Sequence, residues 1–166
     1  MKEIKIFEAK EAMSAYLEGI NGLLPQLLPS AQGMTRVETQ GMTMEELQEM
    51  VDKEDTHLVL AEDENGRIVG MCTVAVYRIP TGRKAWLEDV VVDESARGMR
   101  LGRRLVERAK ELADSYAPCT MMLTSRPSRV AANGLYQAAG FETKVTNVYQ
   151  RGSEEGRGKN EDTKYF

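Results

Sequence analysis

One histidine and two cysteines are all that this sequence offers for soft metal ligation. His57, Cys72 and Cys119 share no metal-ligand spacing, so no metal centre is expected. Both cysteines sit in apolar runs, which predicts no disulfide framework and a reduced, cytoplasmic setting. Long apolar runs are missing too. Nothing approaches the roughly 20 residues of a membrane span, and MKEIKIFEAKEAM lacks an apolar stretch of signal-peptide length, so no membrane partner is expected. Positive charge is outnumbered, 22 Lys and Arg against 26 Asp and Glu, for a net charge of −4. A general nucleic-acid binder carries the opposite balance, so nucleic acid is not expected as a partner either.

What is there suits one soluble domain: 166 residues, 42% hydrophobic and 29% charged. We place that domain at residues 1–150 and read the polar RGSEEGRGKNEDTKYF, residues 151–166, as a disordered tail. Alternation about Lys5 predicts a short strand, and residues 8–18 read as a helix. GINGLLPQLLPSAQG, broken by glycine and proline, reads as a loop whose Leu23, Leu24, Leu27 and Leu28 pack on something. Thr43 with Glu46 forms a capping box that starts a helix running to about residue 53.

Strands follow. HLVLAED and RIVGMCTVAVYRI flank Glu64-Asn65-Gly66, a hairpin signal. After the turn Pro80-Thr81-Gly82, KAWLEDVVVD is a third strand, and its unalternating Val90-Val91-Val92 predicts cover on both faces. LVERAKELA is helical, with Leu101, Leu105, Ala109 and Leu112 on one face. A strand at 120–124, a helix at 128–139 closed by Gly140, and a last strand at 144–150 complete the chain. The order predicts an α+β fold with a central mixed, mostly antiparallel twisted sheet flanked by helices, turning parallel around the arginine-rich helix. His57 reads as a surface or capping residue, and Cys72, Trp86 and the methionines as core.

The opening of that helix, ESARGMRLGRR, is electrostatically odd. A helix start carries partial positive charge and unpaired N–H groups, and here it receives Arg97, Arg100, Arg103 and Arg104. One reading is a solvated cationic face. The other is an anion cradle for a phosphate or pyrophosphate, built from a strand, a glycine-bearing loop and a helix N-terminus. Neither GxxxxGK[ST] nor GxGxxG is present.

VVVDESARGMRLGRRLVERA resembles the acetyl-CoA-binding segment of the GNAT superfamily of N-acetyltransferases, roughly Val-x-x-x-x-Arg-Gly-x-Gly-x-Gly. AANGLYQAAGFETKVTNVYQ resembles its later motif through Asn133, Tyr136, Gly140 and Phe141. The likeness covers residues 57–149 well and the first 50 poorly, and Arg100 stands where the family most often has glycine. It implies that Arg97, Gly98, Met99, Arg100, Leu101, Gly102 and Arg103 hold acetyl-CoA as co-substrate, and that backbone N–H groups of Val90, Val91 and Val92 stabilise the reacting carbonyl. It implies Tyr136 as the general acid for the leaving thiolate, with Asn133 one turn earlier on the pantetheine arm.

The attacking amine must lose a proton, and Glu88 and Asp89 are the candidate bases. Strand alternation sends them to opposite faces unless a bulge intervenes, and by themselves they are also ordinary strand-end carboxylates. The expected activity is acetyl transfer from acetyl-CoA to a primary amine of a small molecule or peptide. LEDVVVD also resembles the corresponding segment of glucosamine-6-phosphate N-acetyltransferases, which adds an amino-sugar phosphate to the possible acceptors. Two other readings stay open: a non-catalytic acyl-CoA-binding module, and an anion-regulated interaction protein pairing through the leucine-rich 23–28 segment. Superfamily members are often dimers, so a homodimer is a further expectation.

Overall fold

The computed structural model describes residues 3–27 and 41–151. Its framework is one five-stranded sheet in the order β1-β2-β3-β4-β5. The strands are β1 (Ile4–Glu8), β2 (Thr56–Asp63), β3 (Ile68–Ile79), β4 (Gly82–Val92) and β5 (Cys119–Met122). The first three junctions are antiparallel and the last is parallel. Among the described residues four helices flank the sheet: α1 (Ser14–Leu27), α2 (Met44–Val51), α3 (Leu101–Asp114) and α4 (Val130–Ala138). The expected mixed, mostly antiparallel α+β architecture is the one observed.

Each sheet face has its own core. On one, Val59, Ala61, Val74, Val76, Ala85 and Leu87 pack under α3, whose Leu101, Leu105, Ala109 and Leu112 are all buried as their spacing predicts. Burying one such leucine stabilises the fold by about 2 kcal/mol. On the other, Leu58, Leu60, Ile68, Met71 and Val91 pack under Ile20 and Leu23 of α1 and Leu47 of α2. The α2 capping box forms as expected: Thr43 Oγ1 accepts from the Glu46 amide, and Glu46 Oε2 accepts from the Thr43 amide at 2.8 Å.

Four expectations need correction. Trp86, expected in the core, is only partly buried and belongs to neither core. The first helix spans 14–27 rather than 8–18, so part of the expected loop is helical even with Pro25 inside it. Gly19 is there for proximity: a Cβ on it would lie 2.5 Å from Ile68 Cβ, so glycine lets α1 approach β3. Leu28 and the tail residues 152–166 fall outside the described residues. The expected strand at 144–150 joins no ladder, and Val145, Val148 and Tyr149 are exposed. Alternation supplies two faces to a segment but not a hydrogen-bonding neighbour, and none is in place among the described residues.

His57, expected at the surface, is 7% exposed. Its Nδ1 lies 2.6 Å from Glu8 Oε1 and its Nε2 lies 2.7 Å from Tyr116 Oη, so it ties β1 and β2 to the end of α3. Burial raises the Glu8 carboxyl, but its hydrogen bonds to Lys10 and His57 outweigh that and hold it below its ordinary value. Among the described residues no helix is long and apolar enough to cross a membrane.

Candidate active site

The site begins where β4 loses register. Met71 faces Val91 and Thr73 faces Glu88, so Cys72 alone stands opposite both Asp89 and Val90. This is a β-bulge, and Asp89 at its centre has φ of 53°, a left-handed conformation that costs a non-glycine residue about 1 kcal/mol. The bulge resets the alternation. Ala85 and Leu87 before it, and Val90 and Val92 after it, pack toward α3, while Val91 turns to the α1 side. Backbone groups of Asp89 and Val90 leave the regular ladder, and the Val90 carbonyl accepts a hydrogen bond from Arg129 at 3.5 Å. Glu88 and Asp89 are both exposed, and the bulge removes Asp89 from the simple alternation. Burial, and then the Asp89 charge, raise the Glu88 carboxyl above the ordinary carboxylate value.

After Val92 the chain makes a short 3-10 turn (Glu94–Ala96) capped by Asp93, whose side chain accepts from the Ser95 amide at 2.9 Å. Gln26 at the end of α1 fastens this turn, donating to Asp93 at 2.9 Å and accepting from the Glu94 amide at 3.0 Å. Gly98 at φ 80° and Arg100 at φ 56° swing the backbone into α3. No side chain caps that helix, so the amides of Leu101, Gly102 and Arg103 lack helical acceptors. They open on a cavity of about 660 Å³ lined by Val92, Ala96, Arg97, Gly98, Arg100, Leu101, Gly102, Arg103 and Leu135. Arg97 ion-pairs with Glu94 at 3.4 Å, whereas Arg100 and Arg103 have no acidic partner among the described residues. These two arginines also line a second cavity, of about 530 Å³, on the β1 side of α3. Leu101 is 1% exposed and Met99 packs on the core, so their side chains are structural and only their backbone is offered here.

Position 100 explains the family's usual glycine: the loop needs a left-handed residue there. Arg100→Gly is expected to raise the melting temperature by a few degrees, by removing about 1 kcal/mol of backbone strain. The same change removes a cation from the cavity, so the dissociation constant for acetyl-CoA, measured by calorimetry, is expected to rise on the order of tenfold.

Among the described residues, Tyr136, Asn133, Glu88 and Asp89 do not line this cavity; Leu135 reaches it from α4. Gly140 at φ 93° closes that helix, with the Phe141 amide donating to Tyr136 O at 3.0 Å and the two rings meeting edge-on at 6.2 Å. Tyr136 is 6% exposed, and its hydroxyl has no hydrogen-bond partner among the described residues. Burial raises its phenol above the ordinary value; Arg129 pulls it down and Cys72 pushes it up. Asn133 shares that face and donates to Arg126 O at 2.9 Å, fixing the β5–α4 loop. The sequence reading missed Gln26, Asp93, Leu135 and Arg129. Leu135 had a signal in its place beside Tyr136 in the helical motif; the others act through contacts remote in sequence.

The sequence model of the "Acetyltransferase (GNAT) family" matches residues 25–141. The chain belongs to this family. Among solved structures, a putative acetyltransferase from Agrobacterium tumefaciens shares 26% identity, with 89% of this chain and 99% of that one covered at a TM-score of 0.70. Glucosamine-6-phosphate N-acetyltransferase from Arabidopsis thaliana shares 22%, with 90% and 98% covered and a TM-score of 0.71. The aminoglycoside N-acetyltransferase AAC(6')-Iy, solved with CoA, shares 17%, with 92% and 96% covered and a TM-score of 0.70. The last two likenesses concern the fold alone. No curated protein matches the chain.

Proposed function

We propose that this GNAT acetyltransferase moves the acetyl group of acetyl-CoA to a primary amine by direct attack, with both substrates bound together. The observation that carries the reading is the cavity itself, where three uncapped helix amides meet two acid-free arginines beside the β4 bulge. These residues fit the cofactor. The amides and the Arg100 and Arg103 guanidiniums suit its pyrophosphate, and Gly102 leaves room beside Leu135, whose Cδ2 would lie 3.2 Å from an added Cβ.

Acetyl-CoA supplies an activated thioester. This chain's part is to orient the carbonyl, take a proton and give one. Backbone N–H groups around Val90, released by the bulge, polarise the carbonyl. Glu88, directly or through a water, takes the proton of an ammonium that would otherwise cost about 4–5 kcal/mol to deprotonate at neutral pH. The N–C bond forms and the C–S bond breaks; Tyr136 protonates the departing sulfur, and the second proton shed by the acetylated nitrogen restores the phenol. A covalent acetyl-cysteine route is disfavoured because burial pushes the Cys72 thiol up to about 12, leaving no useful thiolate at neutral pH.

A titration of acetyl-CoA against melting temperature tests the first half of this reading, and release of free thiol in the presence of amines tests the second. A saturable upward shift and amine-dependent thiol release are expected. A shift without amine-dependent release would leave a non-catalytic acyl-CoA-binding module, and no shift would remove the assignment. A reduced cytoplasmic setting and a possible homodimer belong to the same proposal; size-exclusion chromatography with light scattering checks the latter.

A further inference from the structure

The face of the sheet turned away from α3 carries an ordered row in which acetyl transfer as described uses Glu88 alone. Before the bulge, Lys84, Trp86 and Glu88 occupy alternate positions of β4 and therefore share a face. It is the face opposite the one on which Ala85 and Leu87 pack under α3. Trp86 and Tyr77 are pinned together, the indole N–H donating to Tyr77 Oη at 2.8 Å, and Tyr77 is 43% exposed. On the β5 side, Met122 stands level with Trp86 and Thr120 with Lys84. The result is a fixed aromatic floor with a carboxylate at the end nearest the cofactor cavity and an ammonium at the other.

Lys84 is only half-exposed, and among the described residues it has no hydrogen-bond or ion-pair partner. An ammonium with no counter-charge from the protein is available to pair with an anionic group of a ligand. Aromatic faces hold rings and cations, and the hydrogen bond to Tyr77 favours this placement of the indole. Along the strand, Lys84 and Glu88 lie about 13 Å apart at the backbone, a span that the flexible lysine stem shortens. A polycationic acceptor would suit Glu88 but would meet repulsion at Lys84.

We infer that the acceptor is an amphoteric, ring-bearing primary amine: its amine lies at Glu88, its ring on Trp86, and its carboxylate or phosphate at Lys84. This rests on the acetyltransferase reading and names the acceptor class for the same site. Bond making and breaking are unchanged, with the amine nitrogen gaining the acetyl group and its proton leaving toward Glu88.

Matched amines differing in the anion test it by thiol release: 4-(aminomethyl)benzoate against benzylamine, and glucosamine 6-phosphate against glucosamine. In the wild type, kcat/KM is expected to favour the anionic member of at least one pair on the order of tenfold, and which pair responds tells carboxylate from phosphate. In Lys84→Met the ratio falls to about one, and in Lys84→Glu it inverts, with the acetyl-CoA melting shift kept as the check on folding. A wild-type ratio near one, or a ratio that survives Lys84→Met, overturns the inference. So does failure of all four amines while acetyl-CoA still raises the melting temperature, an outcome that leaves the cofactor reading standing. Loss of the wild-type melting shift would instead overturn the proposed function itself.

Discussion

Gly102→Glu is expected to abolish the stabilisation by acetyl-CoA. For the wild type at about a hundred times the dissociation constant, linkage predicts about 2.7 kcal/mol of added stability, or roughly 6–10 °C for a chain of this size. The variant should melt at nearly the same temperature with and without acetyl-CoA. Two effects combine. The first is steric: Gly102 sits in the first turn of α3, and any Cβ there would lie 3.2 Å from Leu135 Cδ2 and 3.8 Å from Val92 Cγ2, so the longer side chain must extend into the cavity. The second is charge, because a carboxylate at the uncapped amides takes the place prepared for a phosphate oxygen. Gly102→Ala separates them. It needs Leu135 to yield only a few tenths of an ångström and adds no charge, so most of the melting shift should survive. Equal loss in both variants would mean that closure between α3 and α4, not anion binding, controls the site.

How far the sequence revealed this arrangement depended on whether the signal was local. Leu101, Leu105, Ala109 and Leu112 announced the buried face of α3 because helical periodicity is written in neighbouring residues. Thr43 and Glu46 announced α2 in the same way, and the arginine-rich loop marked the start of α3 as unusual because its charge opposes the helix dipole. The bulge at Asp89 was invisible, since it exists only in the register between β3 and β4. That one residue decides whether Glu88 and Asp89 diverge, so the placement of the candidate base could not be read from alternation alone. Gly19 misled for a related reason: a glycine that permits close approach to Ile68 looks, in sequence, like one that ends a helix. His57 is held by Glu8 and Tyr116, partners 49 and 59 residues away, and nothing adjacent to it marks burial. The 144–150 segment failed in the other direction, with a strand-like pattern and no strand beside it among the described residues.

Tyr136→Phe is expected to lower kcat by about a hundredfold or more while leaving the melting temperature and the KM for acetyl-CoA nearly unchanged. The separation is sharp because of how the hydroxyl sits. The ring is buried against Phe141 and the core, and phenylalanine keeps that packing. The hydroxyl has no hydrogen-bond partner among the described residues, so its removal leaves no stranded group and costs the fold little. What it does remove is the phenolic proton that the proposed mechanism assigns to the departing sulfur. Burial raises the phenol above its ordinary value near 10, so Tyr136 stays protonated, and competent as an acid, throughout the neutral and mildly alkaline range. The sign for Glu88 is opposite in effect: a base works only when deprotonated, and its raised value places the acidic limb of the rate profile above 4.5, with activity rising as pH climbs through it. Glu88→Gln should flatten that limb and Tyr136→Phe should leave it in place. A Tyr136→Phe enzyme with wild-type kcat would assign the proton for the departing sulfur to solvent and reduce Tyr136 to a packing residue of α4.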